Sequence, residues 1–321
     1  MDAPLLKKLF REMLRIRMVE EKIAEVYPEQ EMRCPVHLCT GQEAVAVGVC
    51  AHLGKNDYVL SSHRSHGHYL AKGGNLKALL AELYGKETGC SHGKGGSMHL
   101  VDLAVGFLGS TPIVGSTIPI GVGAAFGSVL RNEKRLVAIF FGEGATEEGV
   151  FHESLNFAVL KNLPVIFICE NNLYSVYSPL EVRQPQRKIH ELVRGNGLGS
   201  SHGDGNDVTE VWRLIKEAVG HVQSGKGPAF LEFDTYRWRE HCGPHYDNQL
   251  GYRTEQEFLE WKKRCPVNRC KERLLEGGIS TAREIIQMEK DLANEIDEAF
   301  LFAKESPFPP AESILQHIYA A

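Results

Sequence analysis

Residues 141–175 read FGEGATEEGVFHESLNFAVLKNLPVIFICENNLYS, and the order of patterns across them decides the fold. The apolar run RLVAIFFGE (135–143) leads into a glycine turn, EEGVFHESLNFAVLKN (147–162) has helical spacing, and LPVIFICEN (163–171) is a second apolar run that stops at two asparagines and a tyrosine. Short apolar strands joined by a helix belong to a parallel sheet covered on both faces. Both strands of such a unit end on the same carboxyl edge, where ligands bind. Gly142 and Gly144 permit close backbone approach, and the next helix start offers unpaired N–H groups to a phosphate. Glu143 and Asn172, 29 residues apart, fall just past the two strand ends. Read this way they converge on one hard cation that also grips a diphosphate. A carboxylate, an amide oxygen, a backbone carbonyl and two phosphate oxygens make a magnesium shell.

An internal control supports reading the pair rather than the turn alone. HGDGND (202–207) repeats the Gly-acid-Gly letters, but no strand is expected directly before it and position 233 is Phe, so the second half is missing. It reads as a loop that caps the following helix through Asn206 or Asp207.

Working outward, helices are expected over 4–27, 41–53, 75–86, 121–130 and 206–224, and a further strand over 227–238. The stretch 87–123 is rich in Gly, His, Ser and Thr and reads as irregular, a property that tends to mark function inside a domain. From Thr254 the chain is charged and helical, closing on SPFPP and a short helix. The expectation is an α/β domain over 1–253, with N-terminal helices, and a helical C-terminal extension over 254–321 packed on it.

Thirty-six Lys and Arg against 41 Asp and Glu, net charge −5, with no basic block, argue against a nucleic-acid binder. No apolar run approaches the roughly 20 residues that span a bilayer. The N-terminus lacks the pattern of a secretory signal and is too acidic for a transit peptide. Eight cysteines without a C-x-x-C pair read as reduced thiols, so a cytoplasmic location is expected. His63, His66, His68, His92 and His99 are spaced poorly for zinc, and Arg64 would repel a cation there. GCSHGKGG (89–96) resembles a phosphate loop but is one residue short and has Gly95 where Ser or Thr is needed. GVGAAFG (121–127) reads as close helix packing by small residues, and Trp212, Trp238 and Trp261 as packing residues.

The paired motif, with HLCTGQEAVAVGV (37–49), HRSHGHYLAKGG (63–74), GKGGSMHL (93–100), TPIVGSTIPIGVGAA (111–125), TYRW (235–238), GYRTEQE (251–257) and SPFPP, resembles the alpha subunit of the thiamine-diphosphate-dependent decarboxylating component of 2-oxo acid dehydrogenase complexes. Pyruvate, branched-chain 2-oxo acid and acetoin dehydrogenases are of this type, and the resemblance spans roughly residues 8–320. It implies a thiamine-diphosphate-binding fold and a set of roles. Glu143 matches a magnesium ligand that is usually Asp, Asn172 the second ligand and Tyr174 the carbonyl ligand. Gly144 and Ala145 match backbone contacts to the diphosphate, and Arg64 and Arg237 match arginines on its oxygens, a bidentate task suited to guanidinium. Val114 matches the residue whose backbone meets the aminopyrimidine. His66 and His241 match catalytic histidines lining the entrance to the reactive carbon. His63, grouped with the cofactor-binding residues, stands where relatives often have Tyr. Relatives also often have Gly before the residue matched by His241 and Ser after it, where this chain has Glu240 and Cys242.

The resemblance further implies thiamine diphosphate and Mg2+ as cofactors, a beta subunit that supplies the rest of the site in an alpha–beta heterotetramer, and a lipoyl-bearing acyltransferase as acceptor. The substrate would be a 2-oxo acid or acetoin. Alternatives are a transketolase-like transferase subunit, separable by its aldehyde acceptor, and a non-catalytic cofactor-binding subunit. No Ser or Thr lies between Thr235 and Thr254, so serine phosphorylation of this loop is not expected. Cys242, beside Arg237, Arg239 and His241, raises the question of an activated thiol, with an ordinary thiol the leading reading.

Overall fold

The structure is a computed structural model, and it describes residues 1–316. In chain order it contains α1 (Ala3–Val26), α2 (Glu43–Cys50), β1 (Tyr58–Ser61), α3 (His66–Ala71), α4 (Leu76–Leu83), β2 (Phe107–Ser110), α5 (Thr117–Leu130), β3 (Val137–Gly142), α6 (Gly149–Leu160) and β4 (Val165–Asn171). There follow a two-residue hairpin, β5 (Tyr174–Ser175) and β6 (Ser178–Pro179), then α7 (Leu180–Arg183), α8 (Ile189–Arg194), β7 (Gly199–Asp204), α9 (Val208–Gln223), β8 (Ala229–Asp234), α10 (Glu255–Lys263), α11 (Pro266–Glu276) and α12 (Ala282–Glu305). Six parallel strands form one sheet in the order β2-β1-β3-β4-β8-β7.

Alternation along the central strands explains the two layers of helices. Ala138, Phe140, Ile166 and Ile168 join a core shared with α1, α2, α4 and α9. Their neighbours Val137, Ile139, Val165 and Phe167 join a second core with α5, α6 and α8. A strand buried on both faces has no polar side, which is why these runs are continuously apolar. Gly121 sits on the sheet side of α5, where a Cβ would lie 2.5 Å from Ile139, so close packing is the right reading for that glycine. The helices after Thr254 pack on α1, α2 and α4, with Arg15 paired to Glu295 at 2.6 Å and the first turn of α10 capped by Thr254, whose Oγ1 accepts from the Glu257 amide at 3.0 Å. The closing helix expected after Pro310 is a 3-10 turn over Ala311–Leu315, and residues 317–321 lie outside the described residues.

Two expectations need correction. HGDG is not preceded by loop: residues 199–204 form the edge strand β7, in register with β8 from Gly199↔Ala229 to Asp204↔Asp234. Its capping role stands, since Asp207 accepts from the Thr209 amide at 2.9 Å. The stretch 87–123 is only partly irregular, for it contains β2 and the start of α5. Its phosphate-loop-like segment is filled from within. The buried carboxylate of Glu82 accepts from the amides of Ser91 (2.7 Å), Gly93 (3.0 Å), Gly95 (2.7 Å) and Gly96 (3.1 Å). Such a nest of N–H groups suits an anion, and here the anion is the protein's own. Among the described residues no helix is long and apolar enough to cross a membrane.

Candidate functional site

The carboxyl ends of β3 and β4 are adjacent, with Gly142 opposite Glu170, so the residues that follow them meet. The expected glycine turn at Glu143 is a 3-10 turn (143–147), and the helix expected from 147, α6, begins at Gly149. The turn keeps Gly142, Glu143, Gly144 and Ala145 along one wall of a cavity of about 380 Å3. Asn172 and Tyr174 reach the same cavity because Leu173 between them is left-handed, with φ of 72°. A bulky side chain rarely adopts that conformation, and such strain gathers at functional sites. Arg64, His63, Val114 and His241 complete the set of expected residues that line the cavity.

Glu143 is 1% exposed. Burial raises its carboxyl above the ordinary value, and Arg183 at 2.6 Å pulls it back without cancelling the rise. Arg183, at the end of α7, also pairs with Glu147 and so stands as the counter-charge of the acidic turn. The Asn172 amide oxygen accepts from the Tyr174 N–H at 3.2 Å. A Cβ on Gly142 would meet nothing within 4 Å, whereas one on Gly144 would press on Ser175 at 3.0 Å. The wall therefore has open room at Gly142, a carboxylate and an amide oxygen beside it, and backbone N–H groups in the turn. These donors fit a hard divalent cation bound with a phosphate.

Opposite this wall the charge is positive. The Arg64 guanidinium is buried, donates to the carbonyls of Leu38 and His241 (3.3 Å), and has its pKa lowered to about 10, first by burial and then by Arg237. The loop after β8 is pinned across the N-terminal segment by Trp238 N–H to Thr40 O at 3.0 Å and Gly243 N–H to Val36 O at 2.8 Å. Gly41, at φ 101°, makes this crossing possible, since a Cβ there would lie 2.5 Å from the Tyr236 carbonyl. His241 thereby comes to rest beside His37 and His63.

Two expected residues do not reach the cavity. His66 is fully buried behind it, with Nδ1 2.6 Å from Glu20 and Nε2 2.7 Å from Ser97 Oγ, so both ring nitrogens are engaged and the ring cannot line an entrance. Arg237 is 1% exposed and turns inward, donating to the carbonyls of Arg239 (2.8 Å) and Val176 (2.6 Å) and to the Tyr252 hydroxyl (2.9 Å). Its charge acts on the site from behind rather than by contact. Cys242 fits the leading reading of an ordinary thiol: burial and Glu240 push the thiol up, and Arg64 opposes them only in part.

Two titratable lining residues, His37 and Glu170, were missed, as was Arg183, which does not line the cavity but pairs with Glu143. His37 begins the quoted HLCTGQEAVAVGV stretch, so a signal existed and went unused. Glu170, 3.2 Å from His68 Nε2, is the last apolar-run neighbour of the two asparagines. Arg183 lies on a four-residue helix with no periodicity to find it by.

Residues 11–312 match the sequence model of the family described as dehydrogenase E1 component. The chain is 36% identical over 314 residues to the alpha subunit of acetoin:2,6-dichlorophenolindophenol oxidoreductase from Bacillus subtilis, covering 98% of this chain and 93% of the relative. It is 37% identical to the pyruvate dehydrogenase E1 component subunit alpha of Zymomonas mobilis, covering 99% and 89%, and 36% identical to that of Porphyra purpurea, covering 97% and 92%. With likeness along nearly the full length of each, and an acid–amide pair set on adjoining strand ends, the chain belongs to the dehydrogenase E1 component family.

Proposed function

We propose that this chain is the alpha subunit of a thiamine-diphosphate- and magnesium-dependent dehydrogenase that cleaves a 2-oxo acid or acetoin and passes the fragment to a lipoyl acceptor. The observation that carries the reading is the meeting of Glu143 and Asn172 at one cavity wall beside the open space at Gly142. Thiamine diphosphate, when bound, supplies the carbanion chemistry, and the protein supplies binding, orientation and electrostatics. Glu143, Asn172 and the Tyr174 carbonyl would hold the magnesium ion, with Arg183 yielding the carboxylate it now occupies. Amides of Gly144 and Ala145 and the positive field of Arg64 and Arg237 would hold the diphosphate. Val114 would support the pyrimidine ring.

His241 remains the candidate for holding or moving a proton near the reacting carbon. Its pKa is lowered to about 3, by burial first and then by Arg64 and Arg237, so at neutral pH it is a neutral donor and acceptor. His66 would act only as a positioning residue, bracing α3 through Glu20 and Ser97.

Ile113 and Val114, which line the cavity, are exposed, as is Ile120 in the first turn of α5. Apolar side chains at the rim of a charged site suit a partner chain, and a beta subunit that completes the site fits there. Calorimetry of magnesium thiamine diphosphate with the assembled enzyme tests the reading. Glu143→Ala and Asn172→Ala should each weaken binding by orders of magnitude, and unchanged affinity in both overturns it. A screen of 2-oxo acids and acetoin with an artificial electron acceptor then identifies the substrate.

A further inference from the structure

His37, His63 and His241 form a triangle of imidazoles at one end of the cavity. Their ring centroids are 4.7 Å (His37–His63), 5.1 Å (His37–His241) and 5.1 Å (His63–His241) apart, and their planes are inclined by 61°, 86° and 59°. One potential ligand atom from each lies within 4.8 Å of the others. His37 is 7% exposed, and its Nδ1 is buried without a hydrogen-bond partner. That is an orphaned polar atom, which a folded protein retains at a cost unless something binds there.

A second cluster shows what a poor arrangement looks like. His190, His202 and Glu232 also bring ligand atoms within 4.8 Å. There the two rings stack at 4.7 Å with planes only 11° apart, and each is tied to a carboxylate, His190 Nδ1 to Glu232 at 2.7 Å and His202 Nε2 to Asp234 at 2.9 Å. Lone pairs lie in the ring plane, so those of two stacked parallel rings never meet at one point. The triangle at the cavity is different. Three imidazoles on one tetrahedral ion, at the usual zinc–nitrogen length of about 2.0–2.1 Å, hold their centroids about 5 Å apart with steeply inclined planes. The observed spacings and inclinations match that pattern.

We propose that in the cofactor-free chain His37, His63 and His241 form a three-histidine site for a four-coordinate transition-metal ion of the zinc class, with the fourth position open to the cavity. Three neutral imidazoles and one exchangeable ligand are the composition of an open zinc site. Neutral imidazoles are the ligands such an ion requires, and among the described residues no carboxylate is paired with any of the three rings, which lie instead beside the Arg64 guanidinium. The same guanidinium disfavours a bare cation, so the fourth ligand is an anion such as chloride, phosphate or hydroxide, whose charge Arg64 offsets. The carboxylates of Glu143 and Glu170 in the same cavity help in the opposite sense. His63 is the deciding member, since it supplies the third nitrogen where the family often has a phenol.

The probe is cobalt(II) alone, added to the magnesium- and cofactor-free chain and followed by visible absorption. Four-coordinate cobalt with nitrogen ligands absorbs intensely, whereas six-coordinate cobalt on oxygen ligands, the kind Glu143 and Asn172 offer, is pale. We expect an intense band that saturates at one ion per chain. His63→Tyr and His241→Gln should each abolish it and weaken cobalt binding by more than the roughly 10–100-fold typical of losing an outer-shell partner. A pale spectrum from the unaltered chain overturns the proposal, as does an intense band that persists in either variant shown to be folded by circular dichroism. The measurement uses no thiamine diphosphate, so its failure is separate from any failure of the proposed function.

Discussion

Glu143 is a buried carboxylate whose charge is matched by the Arg183 guanidinium at 2.6 Å. Removing Arg183 leaves the carboxylate uncompensated. Breaking a buried pair from one side costs about 3–5 kcal/mol, and we expect Arg183→Met to destabilise the cofactor-free chain by about 3 kcal/mol in urea unfolding. An unchanged midpoint would show that the pair is ornamental. Cys242 yields a second expectation. With its thiol pushed up by burial and Glu240, alkylation at neutral pH should be slow and should not be hastened relative to a free thiol. At this scale the sequence was informative where position alone fixed the role: Glu143 and Asn172 follow strand ends, and a strand end has one place to go. It was poor where a side chain's direction mattered. His66 follows Arg64 by two residues as α3 begins, and near-helical geometry turns two such residues to opposite sides. One faces the cavity, the other the core.

Helix α9 shows how an element's stability is set at its first turn. Asp207 accepts from the Thr209 amide and hydroxyl (2.9 and 2.6 Å) and pairs with Arg273 at 3.0 Å. Burial alone would raise this carboxyl, but the hydrogen bonds from Arg273 and Thr209 outweigh it and hold it at about 2. The folded value lies below the unfolded one of about 3.9, so the stabilisation is present above that pH and is lost as pH falls through about 2. Asp207→Ala should cost about 1 kcal/mol at neutral pH. The gap between variant and parent in urea midpoint should narrow as pH drops from about 4 towards 2, and a gap independent of pH would remove the carboxylate from the explanation. Elements were legible in proportion to their burial. β3 and the first five residues of β4 are continuous apolar runs, and β8 is apolar but for Glu232 and the closing Asp234. β7 reads Gly-Ser-Ser-His-Gly-Asp, with almost no β-forming residue, and exists because β8 offers it a free edge. No local pattern could announce a strand made by its neighbour. The Glu82 nest was likewise invisible, because its anion and its amides are separated by a turn and a loop.

As a whole molecule the chain ends its own construction at the outer face of α5. The inner face is full, with Gly121 pressed against Ile139, but a Cβ on Gly123 would meet nothing within 4 Å. Ile120 and Leu130 are 53% and 67% exposed on the same helix, and Ile113 and Val114 of the cavity rim lie just before it. The two-layer sheet could be read from alternation and helix spacing, since each is a property of one chain. The proposal that the cavity is half of a site rests on the resemblance alone, because periodicity carries no information about a surface covered by another polypeptide. This gives a variant that separates folding from assembly. Gly123→Leu places a side chain where the lone chain has room and replaces a helix-interior glycine, a change worth about 0.5–1 kcal/mol in favour of the helix. The isolated variant should therefore unfold at or above the temperature of the unaltered chain. If the beta subunit covers this face, the same side chain stands in its way, and sedimentation of the mixed subunits should show assembly weakened while the separate chain is sound. The unaltered chain alone should show no 2-oxo acid decarboxylation, and activity should appear only on adding the partner. A Gly123→Leu chain that assembles as tightly as the parent would place the partner on some other face, and decarboxylation by the purified chain alone would show that the cavity needs no second half.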